Sequence, residues 1–533
     1  MASGRAPGGL KPLTAERIIL GGIVQGVGFR PFVYRLALRL GVAGWVRNDG
    51  TGQVEIIAHA PAAVLAGFRA GLLSEAPPAA RPVLRHVSAA LFTGEGFEIR
   101  PSTAKGVAAQ GLPADLAPCA ACLAELADPA DRRFGYGFTN CTQCGPRYSL
   151  IETLPYDRAN TTMRGFALCA ACAAEYGAPD NRRFHAEPIA CPRCGPHLRL
   201  GAHTGDAALS AALAALRAGR IVAVKGVGGY HLLCDAADDQ AVQRLRARKQ
   251  RPRKPLALLV PEARLSEYAA ASPAEQEVLR GPSRPILLLP RRAGAALSPA
   301  IASGLGEIGV MLPDSPLHHL LATGFGAALV ATSANRSGEP MVADDATAEA
   351  DLAGIAEAFL HHNRPIARPV DDSVLRVIDG APSLLRAGRG FSPLEVPLPR
   401  KLPYPVLALG GHMKNTIALG FGDLAVISPH LGTLDNPAAL AAFARMAGEL
   451  PALYGVKPQA LIVDAHAGYG SSAWARGRGL ALHPVWHHHA HAGALAGEYG
   501  LEEALIFTWD GVGLGPDGTL WGGEVLAGRP GAW

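Results

Sequence analysis

Eight of the nine cysteines in this 533-residue chain fall in C-x2-C pairs, and the pairs repeat. Cys119 and Cys122 are followed after 18 residues by Cys141 and Cys144. Cys169 and Cys172 are followed after 18 residues by Cys191 and Cys194, which is the first set moved by 50. The flanks return too: Arg132-Arg133-Phe134 as Arg182-Arg183-Phe184, and Cys144-Gly145-Pro146 as Cys194-Gly195-Pro196. Two thiolates two residues apart grip one ion from a tight turn, and four complete a tetrahedron, so the duplication predicts two structural zinc ions. Spacing alone leaves open whether each ion is held within one set or across both. Free core thiols are the plain alternative. DNA-reading fingers are another, but neither unit carries a basic recognition helix, and nucleic acid is not expected as a partner.

The remaining chemistry-bearing residues form three groups. Gly22-Ile23-Val24-Gln25-Gly26-Val27-Gly28-Phe29-Arg30-Pro31 lies between a strand and a helix, where backbone N–H groups converge on an anion and Arg30 adds a two-pronged contact. Lysines are scarce and the other cations are arginines, so Lys225, Lys249 and Lys254 draw notice inside motifs. Lys249-x-Arg251-Pro252-x-Lys254 precedes one apolar strand, and Thr332-Ser333-Ala334-Asn335 follows another. A solvated basic loop and a helix cap are the bland readings of these two. Third, His487 and His491 lie one turn apart on one face of a helix, a workable metal pair, with Asp510 downstream of a strand.

The elements that position these groups are readable from periodicity. Strands at Arg17–Leu20, Val42–Asn48, Gln53–His59, Val83–Phe92 and Phe97–Arg100 alternate with helices opened by Pro31 and spanning Ala62–Leu73. That order is the ferredoxin-like β-α-β-β-α-β pattern. Residues 105–200 lack long periodic segments. Residues 201–390 alternate helix and strand as an α/β unit; 391–405 are Pro-rich and read as a linker. A new α/β pattern begins at Val406. With 49% hydrophobic and 18% charged residues the chain is neither disordered nor fibrous. Fifty basic against 45 acidic residues give +5, too weak a bias to demand a polyanion. No apolar run reaches membrane-span length and no signal peptide opens the chain, so a cytoplasmic protein without membrane contact is expected.

Beyond these readings, the V-Q-G-V-x-F-R loop with Asn48-Asp49-Gly50-Thr51-Gly52 resembles acylphosphatases. The resemblance implies that Arg30 binds phosphate and Asn48 orients the attacking water, with no covalent intermediate. The K-x-R and S-x-N elements, with Lys225-Gly226-Val227-Gly228-Gly229, Asp371-Asp372-Ser373 and Arg386-x-Gly388-Arg389, resemble the YrdC-type domain. That implies ATP, with Mg as its counter-ion, and a carbamate-like acid bound by Lys225, Lys249, Arg251, Lys254, Ser333 and Asn335. Leu409–Thr416, the histidine run and Asp510–Gly518 resemble the carbamoyl-transfer domain of sugar-kinase/actin-like architecture, implying a divalent metal at His487, His491 and Asp510.

The order of these parts resembles the HypF family, the carbamoyltransferases of nickel–iron hydrogenase maturation. It implies a multidomain α/β and α+β chain. A flexible tail (1–16) precedes a ferredoxin-like acylphosphatase domain (17–104) and a duplicated four-cysteine zinc-finger region (105–200). A YrdC-like domain (201–390), the linker and part of a transferase domain (406–533) follow. The implied reaction takes carbamoyl phosphate to carbamate, then with ATP to carbamoyl-adenylate, and passes the carbamoyl group to the C-terminal cysteine of HypE. Rival readings are a tRNA threonylcarbamoylation enzyme, a small-molecule O-carbamoyltransferase and a non-enzymatic zinc scaffold. Family members extend beyond the Trp521-Gly522-Gly523-Glu524 segment, so impaired transfer and a poorly ordered or associating 406–533 are expected.

Overall fold

The computed structural model describes residues 13–103 and 111–533. The N-terminal unit runs β1 (Leu13–Ile23), α1 (Phe29–Leu40), β2 (Ala43–Asn48), β3 (Val54–Pro61), α2 (Ala62–Ser74), β4 (Arg81–Ala90) and β5 (Phe97–Ile99). The sheet order is β4-β1-β3-β2-β5, with β5 added parallel to β2. Alternation along the strands puts Ile18, Leu20 and Ile56 on the side where Val33, Leu36 and Phe68 of the helices close a core. Helix α1 starts at Phe29 rather than Pro31, so Pro31 sits inside the first turn, where its missing N–H still leaves nothing unpaired. Most of the expected tail, residues 1–12, lies outside the described residues. Its last part is not a tail, since Thr14–Glu16 pair with β3, and Ala15 and Glu16 also with β4. The expected boundary at 104/105 also lies outside them.

The finger region holds two eight-residue helices, α3 (Ala120–Ala127) and α4 (Ala170–Gly177), each beginning at the first cysteine of its set. The region then feeds into the central sheet: Leu198–Leu200 pairs with Ala358–His362 and with His203–Thr204. That eleven-stranded sheet has Tyr230–Asp235 and Leu329–Ser333 near its middle. Apolar helices cover both faces, giving one core around Leu232, Val242 and Leu258 and another around Leu216, Val224 and Leu321.

The six-stranded C-terminal sheet corrects the expected linker. Leu394–Pro397 pairs antiparallel with Leu424–Ile427 as its edge strand, and the Glu395 carboxylate accepts from the Gly111 N–H at 2.6 Å. Prolines fit there because an edge strand has one unpaired side. Helix Pro437–Tyr454 buries Phe443, Leu450 and Tyr454 against the sheet. Among the described residues, strand Ala504–Leu514 pairs only with Leu520–Gly528, in a ribbon packed on helix His487–Tyr499. Its inward residues are Ile506 and Thr508, and its outer face carries Leu505, Phe507 and Trp509 exposed. Among the described residues, no helix is long and apolar enough to cross a membrane.

Candidate functional sites

The two cysteine sets close separately. Cys141 lies 3.7 Å from Cys119 and from Cys144, and Cys144 lies 3.4 Å from Cys122, sulfur to sulfur. Cys191 lies 3.7 Å from Cys169 and from Cys194, and Cys194 lies 3.6 Å from Cys172. A zinc–sulfur bond of about 2.3 Å requires a tetrahedron edge of about 3.8 Å. Each set therefore fits one zinc ion, and the pairing left open by spacing is within sets.

The repeated Arg-Arg-Phe flanks, without a role on sequence grounds, explain how the fingers hold each other. Arg132 of the first donates to the Cys172 thiolate at 3.2 Å, and Arg133 to Glu175 at 2.5 Å. Reciprocally, Arg182 donates to Cys122 at 3.1 Å, and Arg182 and Arg183 both pair with Glu125. These guanidinium contacts offset the excess negative charge of four thiolates on one divalent ion. Metal analysis of gently purified protein is expected to find two equivalents of zinc. One equivalent would contradict the duplication. The ninth cysteine, Cys234, is a buried core thiol, and burial pushes it up.

At the phosphate loop, Gly26 and Gly28 adopt φ of 68° and 73°, and Gly28 caps α1 with a bare backbone. A side chain at Gly26 would strike the Pro113 ring at 2.7 Å. The loop therefore stays open to an anion at the positive end of α1. Gln25 donates to the carbonyls of Asp49 and Gln53 at 3.3 and 3.1 Å, fixing the loop against the turn that follows Asn48. Asn48 is 1% exposed, and neither atom of its side-chain amide has a partner. An orphaned buried amide is costly unless a water or substrate completes it.

Arg30 is not the lone cation that the sequence suggests. Arg147, from the first finger, lines the same small cavity of about 20 Å3. Its guanidinium is spent on the carbonyls of Gly26, Cys141, Thr142 and Pro146, which clamps finger to loop. Arg30 keeps one nitrogen, Nη2, on carboxylates: 3.1 Å from Glu187 and 3.2 Å from Asp157. Among the described residues, Nη1 has Ser102 Oγ as its hydrogen-bond partner, at 3.5 Å.

The second group gathers in a cavity of about 710 Å3 between the central and C-terminal sheets. Lys249, Arg251, Lys254, Ser333 and Asn335 all line it, as does Lys414 from the opposite side. Lys249 donates to the backbone carbonyls of Ser333 and Asn335 at 2.7 and 2.8 Å and to Asn335 Oδ1 at 2.5 Å. The K-x-R and S-x-N elements are thus one hydrogen-bonded unit. Burial, then Arg251, pulls Lys249 down to about 7. Lys225 departs from the set. It is held by Asp345 at 2.7 Å and faces two other cavities. Arg368 and Arg445 also line the large cavity, unsignalled by any motif.

In the third group the helix starts at His487, which puts His487 and His491 together. His487 Nε2 is 3.0 Å and His491 Nε2 3.7 Å from Asp510 Oδ2, a spread that fits one divalent ion. Asp464, which sequence reasoning missed, accepts from His487 Nδ1–H at 2.7 Å and leaves Nε2 to face the ligand position. This contact raises His487, and burial lowers His491. His488 turns away to the Gly522 carbonyl at 2.6 Å.

These parts correspond to families in the same order. The acylphosphatase model matches residues 16–89, the HypF finger model 119–151 and 168–200. The Sua5/YciO/YrdC model (telomere recombination) matches 214–388, and the HypF Kae1-like domain model 401–498. A chain built this way is a carbamoyltransferase with an acylphosphatase domain. Carbamoyltransferase HypF of Synechocystis is 45% identical over 524 residues, 96% of this chain and 68% of that protein. Carbamoyltransferase HypF of Rhodobacter capsulatus is 47% identical over 97% of this chain and 70% of its own length. A crystal structure of full-length HypF in the phosphate- and nucleotide-bound form superposes with a TM-score of 0.93 at 38% identity, covering 98% of this chain and 70% of that one. The chain belongs to the HypF family of carbamoyltransferases.

Proposed function

We propose that the chain hydrolyses carbamoyl phosphate at the Arg30 loop, adenylates the carbamate in the Lys249 cavity and passes the carbamoyl group to the C-terminal cysteine of HypE. The domain bounds that go with this are 13–104, 105–200 and 201–390, with 391–533 as the transferase unit. The observation that carries the reading is the joining of Lys249, Arg251, Ser333 and Asn335 on one cavity in a chain that also presents an anion loop. In the first step water, held by Asn48, attacks phosphorus. The bond from phosphorus to the acyl oxygen breaks, and Arg30 meets the charge on the phosphoryl oxygens. In the second, a carbamate oxygen attacks the α-phosphorus of ATP, and pyrophosphate leaves into the cation set. In the third, the cysteine thiolate attacks the carbamoyl carbon and AMP leaves. A divalent ion held by His487, His491 and Asp510 would supply Lewis-acid polarisation and phosphate anchoring.

Mass spectrometry of HypE incubated with this chain, carbamoyl phosphate and ATP tests the reading. A carbamoyl adduct on the C-terminal cysteine supports it. No adduct, with pyrophosphate formed normally, removes the transfer step.

Lys249 adds a pH dependence. The free group titrates at about 7, so it is charged below that pH and neutral above. Triphosphate favours the ammonium, so binding at higher pH requires a proton to be taken up. ATP affinity is expected to weaken between pH 7.5 and 9 by up to about tenfold per unit. Lys249→Met is expected to be flat over that range. Titration calorimetry in two buffers of different ionisation enthalpy checks the proton, and an equal slope in both proteins contradicts the assignment.

A further inference from the structure

Glu187 belongs to the second finger, yet it sits on the phosphate loop of a different unit. Its carboxylate is 2% exposed and fully committed. Oε1 accepts from Arg30 Nη2 at 3.1 Å, and Oε2 accepts from Tyr176 Oη–H at 3.0 Å and from the Arg158 backbone N–H at 2.9 Å. Asp157, the other carboxylate on Arg30, is 31% exposed and shares the same nitrogen. Both carboxylates therefore occupy one end of the guanidinium. Arg30 lines the loop cavity, and among the described residues the hydrogen-bond partner of its Nη1 is Ser102 Oγ, at 3.5 Å. A guanidinium gripped at one end presents its other edge in fixed orientation, which is what two-pronged phosphate contact requires.

What holds Glu187 is equally specific. The small core beneath it consists of Cys172, Ala186, Ile189 and Cys191, ringed by Leu168, Cys169, Tyr176 and Cys194. All four cysteines of the second set are in it, and so is the tyrosine that bonds Glu187. A core this small cannot stand on apolar burial alone, so its shape depends on ligation of the metal. Arg158 finishes the strap by donating to the Glu187 and Ile189 carbonyls at 2.5 and 3.0 Å.

We infer that Glu187 is a positioning residue for Arg30 in acyl-phosphate hydrolysis, and that metal ligation by Cys169, Cys172, Cys191 and Cys194 holds it in place. The inference rests on the proposed role of Arg30. It makes the second finger part of the hydrolytic site, so losing its ion loosens a phosphate contact in another unit.

The test uses the full chain, with carbamoyl phosphate as substrate and inorganic phosphate as inhibitor. Glu187→Ala is expected to lower kcat/KM about 30- to 100-fold and to weaken phosphate inhibition about tenfold, with two zinc equivalents retained. Glu187→Gln, which keeps one oxygen toward Arg30 and the same shape, is expected to fall between wild type and Glu187→Ala; it decides the matter if the alanine variant fails to fold. Cys194→Ser, which opens the second site, is expected to weaken phosphate inhibition to the same degree, and combining it with Glu187→Ala should add nothing further. Wild-type constants in both Glu187 variants beside an inactive Arg30→Ala overturn this inference alone. A fully active Arg30→Ala overturns instead the reading beneath it. Additive losses in the double variant overturn the link to the metal.

Discussion

Arg30→Ala is expected to lower carbamoyl phosphate hydrolysis by at least about 10²- to 10³-fold, the usual cost of removing one charge-stabilising donor from a site that excludes water. The cavity makes a larger loss reasonable. Arg147, the other guanidinium there, is spent on four carbonyls and cannot turn to the phosphate without releasing the finger from the loop. The deletion would also leave Glu187 buried without its cation, which raises the cost of any neighbouring anion. Asn48→Ala is expected to be milder, about tenfold to a hundredfold, and to fall on kcat rather than KM, since a water-orienting amide acts chiefly in the transition state. Release of inorganic phosphate at steady state separates the two. Wild-type rates in both variants would remove the hydrolytic role of this unit.

Lys249→Ala is expected to abolish carbamate-dependent exchange of pyrophosphate into ATP, a loss of about 10³-fold or more, while leaving phosphate release unchanged. Two effects combine. The adenylation cavity loses a cation at the position where two motifs meet, and the turn carrying Ser333 and Asn335 loses the donor shared by two backbone carbonyls and a side-chain oxygen. Buried acceptors left unpaired cost about 1–3 kcal/mol each, so the turn should also loosen. Lys249→Arg is not a conservative repair, because a planar fork cannot reach three converging oxygens as a tetrahedral ammonium does. Arg251→Ala keeps that turn intact and is expected to lose exchange less completely. Radiolabelled pyrophosphate exchange measures all three.

Local signals in the sequence give the parts but not their joins. The cysteine spacing, the glycine loop and the K-x-R and S-x-N elements each lie in a few consecutive residues, where residue type alone limits the chemistry. Helical periodicity likewise places His487 and His491 on one face. Glu187, Arg147 and Asp464 were not legible, because each acts across more than 20 residues on a group in another element, and no local pattern marks a carboxylate that will be buried. The Arg-Arg-Phe repeats were visible as repeats, yet their exchange between fingers is a tertiary fact. The proline-rich stretch misled for a physical reason: prolines that would break a central strand are tolerated on an edge, and Leu394–Pro397 is an edge. For Lys225 the motif did not reveal its partner, since a basic residue at the end of a strand reads the same whatever it meets, and Asp345 pairs with it across 120 residues.

The central claim is that hydrolysis in one unit feeds adenylation in another. Pyrophosphate release from ATP, followed with and without carbamoyl phosphate, tests it most directly. Release is expected only when carbamoyl phosphate is present, to be lost in Arg30→Ala, and to recover in that variant when freshly dissolved ammonium carbamate is supplied. Pyrophosphate formed at full rate without carbamoyl phosphate, or in Arg30→Ala without added carbamate, would contradict it.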